Sequence, residues 1–456
     1  MFRYIFIFFL LLLIFSCNEN NIESNVPIDP PFKNFTLNDD GSISSSEMSI
    51  HDFNSSKECQ ECHYQHYTEW NKSMHAYSIK DPIFFTGWNK AKHDFPQTGE
   101  RFCIQCHSPA AFVVGYDLTE YNSLQDLIEN DVPDAVLDGV GCDICHTTTS
   151  LSQTIHAQDN IAANAEFNLN PGESVKYGSI ENPKPNPFHK SEYSPIFKRS
   201  ELCLPCHDLT IRGVEAEITF TEWNRIPGLS MSGALSCQDC HMPQKADGTH
   251  DHSFVGVDID LSYPIGQSPL HNAVQQMLNS AATIKFGYYG QELQDSIKNN
   301  DSLVVPISVT SLTAHGLPSG TSFAREVWIE LIIVDSKDEL LYESGVVQNF
   351  EPLNINDSEL LLFTTTFLDD NGNIVNSVTQ TYDMIDNSLP AFSQRFHSYK
   401  IKNIGQVSDY LVINVRLLFR SFKPNLLIID HPELIDNLPI FEIDSIADTI
   451  YVKSSE

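Results

Sequence analysis

Ten of the chain's eleven cysteines fall into five C-x-x-C pairs, and a histidine directly follows each pair. The segments are Cys59-Gln60-Glu61-Cys62-His63, Cys103-Ile104-Gln105-Cys106-His107, Cys142-Asp143-Ile144-Cys145-His146, Cys203-Leu204-Pro205-Cys206-His207 and Cys237-Gln238-Asp239-Cys240-His241. Disulfides, redox dithiols and half zinc sites all use paired cysteines. None of them requires a histidine after every second cysteine. C-x-x-C-H is the attachment sequence of c-type haem. Its two thiols form thioethers with the vinyl groups, and the adjacent imidazole becomes the proximal iron ligand. The expected cofactor is five haem c, with His63, His107, His146, His207 and His241 proximal.

Each iron has a sixth position. Of seventeen histidines, twelve remain once the proximal five are assigned, whereas there are only seven methionines. Four histidines stand out as distal candidates because they sit among polar or turn-forming residues: His75 in "WNKSMHA", His189 in "NPFHK", His252 in "THDHSFVG" and His315 in "TAHGLPSG". For a fifth ligand the candidates are His271, which opens the helical pattern "HNAVQQML", His93 in "KAKHDF", and His66. His51, His156, His397 and His431 read as surface or structural residues.

The N-terminus carries a short positive region, Met1-Phe2-Arg3, then the apolar run Tyr4 to Phe15. Twelve residues are too few to span a bilayer, so residues 1–16 are expected to be a signal peptide. Ser16-Cys17 resembles the lipobox of bacterial lipoproteins, which implies lipidation at Cys17. The alternative is a plain secretory signal with an incidental cysteine. Residues 17–57 are rich in Asn, Ser, Asp and Pro and are expected to form a disordered tether behind the lipid.

Residues 58–264 hold all five motifs among short helical patches such as "QHYTEW" and long polar loops. This part is expected to be a haem-packed domain of short helices and loops. Residues 265–300 are expected to form a helical connector. From about residue 301 the pattern changes: Leu303, Val305, Ile307 and Val309 alternate with less apolar residues, and Val327 to Val334 and Leu411 to Arg420 read as stronger strands. Residues 301–456 are therefore expected to form an antiparallel β-sandwich of immunoglobulin-like size. The fold class is α+β and multidomain.

The formal net charge of −33 excludes nucleic acid as a partner, since phosphate neutralisation needs clustered Lys and Arg. Apolar content of 41% is that of an ordinary folded chain.

Taken together, "CQECHYQHYTEWNKSMHA", "FCIQCHSPAAFVVG", "GVGCDICH", "SELCLPCHD" and "CQDCHMP" resemble segments of a broad family of bacterial multihaem c-type cytochromes. That family is related to the tetrahaem cytochrome of ammonia oxidisers and to hydroxylamine oxidoreductase. "TAHGLPSGTSFAREVWIELIIVD" is similar to the Gly-His-x-Leu-Pro-Thr-Gly signature of a β-domain appended to many members, with Ala314 and Ser319 replacing Gly and Thr. The resemblance implies closely stacked haems, electron transfer, and distal ligands at His75, His189, His252 and His315. The expected function is an electron carrier at the periplasmic or cell-surface face of a bacterial membrane, exchanging electrons with redox partner proteins. Two alternatives stand beside it. One is a haem-dependent reductase of a small nitrogen or sulfur oxyanion with one open haem site, although no C-x-x-C-K motif occurs. The other is a docking or adhesion subunit of a redox complex.

Overall fold

Each C-x-x-C-H segment lies on a short helix or tight helical turn, because the backbone must bring two thiols and an imidazole to one side within five residues. A computed structural model describes residues 31–38, 43–96, 99–153, 162–163, 165–348, 350–407 and 409–453. The expected signal peptide, Cys17 and His156 lie outside the described residues. Helix α1, Tyr64–Trp70, follows the first motif. Helix α2, Pro82–Asp94, starts where Asp81 accepts a hydrogen bond from the Ile83 amide at 2.9 Å, with proline in its first turn. It buries Phe85, Trp88 and Ala91 on one face. Helix α3, Gly99–His107, carries the second motif, and a short helix, α4, spans Thr219–Asn224.

The tether expectation fails for its described part. Phe35–Leu37 pairs with Ile43–Ser46, Met48, Ile50 and Phe53 are buried, and Phe35 packs edge-on against Phe112 at 6.2 Å. These apolar residues give the segment something to bury, which a solvated linker lacks.

The connector expectation is also corrected. Only helix α5, His271–Leu278, is α-helical in the stretch 265–300. Two strands follow, β1 at Ala282–Phe286 and β2 at Ser296–Lys298. The sheet region thus begins before residue 301, because Ala282 and Ile284 alternate inward as strand residues do.

The remaining strands used here are β3 Leu303–Ser311, β4 Glu326–Asp335, β5 Leu340–Ser344, β6 Thr365–Leu368, β7 Ile374–Val375, β8 Asp383–Asp386, β9 Gln394–Ile401, β10 Tyr410–Arg420 and β11 Phe441–Lys453. One sheet runs β1-β3-β9 and a larger one β2-β11-β10-β4-β5. Pairing is antiparallel except between β2 and β11. Val305, Ile307 and Val309 of the first sheet share one buried cluster with Ile329 and Leu331 of β4 and Ile413 and Val415 of β10. Two layers facing across that cluster make the sandwich, and each fully buried branched side chain contributes roughly 1.5–3 kcal/mol. The overall class is α+β, with short helices in the first part and a sheet-rich second part.

A third sheet, β7-β6-β8, faces the motif region. Phe367 of β6 clusters with Phe102, Ile211 and Ala216. Polar ties reinforce this seam: Arg212 donates to the carbonyls of Thr379 and Thr381 at 3.0 Å, and the Thr379 hydroxyl donates to Asp94 at 2.7 Å. The sheet region is therefore bound to the motif region along apolar and hydrogen-bonded contacts.

Candidate haem-binding site

All ten motif cysteines and all five motif histidines line one cavity of about 2100 Å³. That is well above the roughly 300–1000 Å³ of a small-ligand pocket. Cysteines of different motifs also touch. The Cys59 thiol lies beside Cys142, Cys203 beside Cys237, and Cys106 beside Cys206. The first and third motifs are thus neighbours, as are the fourth and fifth and the second and fourth.

Within this cavity the imidazoles form pairs at nearly one spacing. Ring centroids lie 6.3 Å apart for His63 and His189, 6.3 Å for His75 and His207, 6.4 Å for His146 and His252, and 6.3 Å for His241 and His315. Two metal–imidazole bonds of about 2 Å each, plus the two ring radii, add up to about 6 Å. Each pair joins one motif histidine to one of the four histidines singled out by their polar contexts.

The second nitrogen of most of these rings is already committed. Nδ1 of His107, His146 and His241 bonds the carbonyls of Ser78, Tyr177 and Val255 at 2.8, 2.7 and 2.6 Å. Among the distal candidates, Nδ1 of His252 bonds the His250 carbonyl at 2.9 Å and Nδ1 of His315 bonds the Gly316 carbonyl at 2.9 Å. A metal-bound imidazole characteristically donates its other N–H in this way, which leaves Nε2 for the metal. Burial also keeps the rings neutral, as a ligand must be. It holds His75 at about 3 and both His252 and His315 at about 4, and lowers His63, His107, His146 and His241. His207 differs. Burial alone would lower it, but the hydrogen bond and charge of Glu217 raise it to about 9. The donor set, its spacing and its committed nitrogens fit haem c.

Among the described residues His107 has no such partner. No imidazole among them stands about 6 Å from its ring; Phe84 of α2 stacks on it at 4.2 Å and 20° instead. The candidates for a fifth ligand are not brought there. His271 packs against Phe441 at 4.9 Å, because the α5 face that carries it turns to the sheet. The His93 side chain is 90% exposed at the end of α2, beside Asp94. His66 sits 6.2 Å from His63, but the two are three positions apart on one helical turn and lie side by side. No macrocycle fits between side chains of adjacent turns, which favours His189 opposite His63.

Sequence reasoning missed two residues of this cavity. His431 is buried, lines the cavity, and its Nε2 meets the Thr86 hydroxyl of α2 at 2.7 Å. Nothing local in "DHPEL" marks it. Glu217 stands 3.2 Å from Nδ1 of His207. The turn signal Arg212-Gly213 between two short apolar runs was its available clue.

The family described as cytochrome c554 and c-prime matches residues 58–147. A penta-heme cytochrome c552 from Thermochromatium tepidum is 21% identical, with a TM-score of 0.63 over 88% of this chain and 100% of that one. It shares the fold. The C-terminal domain of wzt (9% identity, TM-score 0.21, 39% of this chain and 76% of that one) is too dissimilar to bear on the fold. So is a CARDB domain from Pyrococcus furiosus (10%, 0.15, 38% and 90%). No curated protein matches the chain. The family match over residues 58–147 and the five C-x-x-C-H motifs support haem c binding, and the fold is that of a penta-heme cytochrome.

Proposed function

We propose that the chain is a five-haem electron carrier in which four of the haems have two histidine ligands each. The observation that carries this reading is the set of four imidazole pairs, all at 6.3–6.4 Å, inside one cavity lined by every motif cysteine. When bound, haem iron supplies a one-electron ferric/ferrous couple. The protein's part is to hold most of the rings by an Nδ1 bond, to exclude water by burial, and to keep the motifs close together. Closed sixth positions favour electron transfer over chemistry on a substrate.

On this reading the protein is exported, anchored by lipid at Cys17 on the periplasmic or cell-surface face of a bacterial membrane, and serves redox partner proteins. No helix among the described residues is long and apolar enough to cross a membrane. The mass of the mature protein tests both halves: five haem increments and a lipidated Cys17 are expected. Fewer than five haems, or an unmodified start beyond residue 17, contradicts the corresponding half.

A specific observation favours a second reading. His107 lacks an imidazole partner among the described residues, so its haem keeps one position free for a small nitrogen or sulfur oxyanion. Addition of nitrite or sulfite to the oxidised protein should then perturb the spectrum of one haem. No perturbation with either returns the protein to a pure carrier.

A further inference from the structure

Three of the motif histidines give Nδ1 to backbone carbonyls, but His207 faces a carboxylate: its Nδ1 lies 3.2 Å from Oε1 of Glu217. A hairpin builds this contact. Leu209–Ile211 pairs with Val214–Glu217 across the turn Arg212-Gly213, where φ is 49° and 80°. Positive φ at both central residues suits the strand twist, and glycine takes the second position without strain. The register sets Glu217 opposite Leu209, two residues after His207. Glu217 lines the cavity, with 21% of its side chain exposed.

The fourth motif is also the most connected. Cys206 touches Cys106 of the second motif and Cys203 touches Cys237 of the fifth. A property set at His207 therefore bears on the middle of the array rather than on one end.

We propose that Glu217 is a positioning residue that lowers the reduction potential of the haem held by Cys203, Cys206 and His207, making it the lowest of the four haems with paired histidines. A carboxylate accepting the Nδ1 proton makes the imidazole a stronger donor to the metal than a carbonyl does. Its negative charge, little screened away from water, favours ferric iron over ferrous. The inference rests on the ligand pairing proposed above, specifically His75 with His207.

The test is a potentiometric titration of the full five-haem protein, followed by electron paramagnetic resonance. In Glu217→Gln, which keeps a hydrogen-bond acceptor and removes the charge, the ferric/ferrous equilibrium of one haem shifts at least tenfold toward ferrous. That is an upward move of about 59 mV. The other haems hold their positions. A second variant, His75→Ala, identifies the signal: it converts the same haem to high spin, and in the unaltered protein that low-spin signal is the last of its class to be reduced. Glu217→Gln with five haems bound and no shift overturns the proposal. Should Glu217→Gln fail to bind haem, a wild-type signal assigned through His75→Ala that is reduced before the others overturns it equally. If His75→Ala leaves every low-spin signal in place, the ligand pairing itself is wrong and the inference falls with it.

Discussion

Glu222 of α4 grips the loop that carries His315, accepting from the Gly316 amide at 3.0 Å and the Ser319 hydroxyl at 2.5 Å. Burial raises its carboxyl above the ordinary range despite those two bonds. Gly316 is a glycine for want of space, since a Cβ there would stand 2.6 Å from Oε1 of Glu222. Gly316→Ala should displace the carboxylate, loosen the loop and convert part of one low-spin haem population to high spin. Resonance spectra indistinguishable from wild type would show that the loop does not depend on this contact. His75, His189, His252 and His315 were legible as candidates because each is surrounded by polar or turn residues. Which motif each would face was not, since partners are far apart in sequence and only the folded chain sets His75 opposite His207 rather than His63. For Glu217 the Arg212-Gly213 turn hinted at a hairpin, but its role comes from the hairpin register, which only the folded chain fixes.

Among the elements, β4 and β10 hold the centre of the larger sheet, and their register explains a buried ion pair. Glu326 lies opposite Arg420, and the guanidinium Nε and Nη2 donate to Oε2 at 2.9 and 2.5 Å with both side chains nearly inaccessible. Breaking such a pair strands a charge, which costs about 3–5 kcal/mol, whereas replacing both partners with apolar residues is close to neutral. Glu326→Ala should therefore lower stability in chemical denaturation by that amount, and Glu326→Leu with Arg420→Met should recover most of it. Equal losses in the single and double variants would contradict this. The long β-branched, apolar runs at Val327 to Val334 and Leu411 to Arg420 announced these strands, and β4 is buried at nearly every position. Strands β1 and β2 were not announced. They are short, and β1 is stabilised by pairing with β3 rather than by its own pattern. The same cause placed an ordered segment where a tether was expected: Phe35, Met48 and Phe53 bury against residues that a local reading cannot supply.

At the scale of the whole molecule, the motif region and the sheet region share the cavity that the motif cysteines line. The first region supplies all five motif histidines, and the second supplies His315 and the buried His431. The sheet region thus helps to line the motif cavity, and is held to the motif region by Glu222, by Arg325 paired with Asp258, and by Lys90 paired with Asp430 at 2.9 Å. The motif count was enough to foresee a chain built around its cofactors. It left the fifth distal ligand open, and among the described residues no imidazole stands about 6 Å from His107. Electron paramagnetic resonance of the fully oxidised five-haem protein, with spins counted, tests that architecture most directly. The pairing predicts low-spin signals from four haems and a high-spin signal from one. Five low-spin haems would contradict the open position at His107, and two or more high-spin haems would contradict the four histidine pairs.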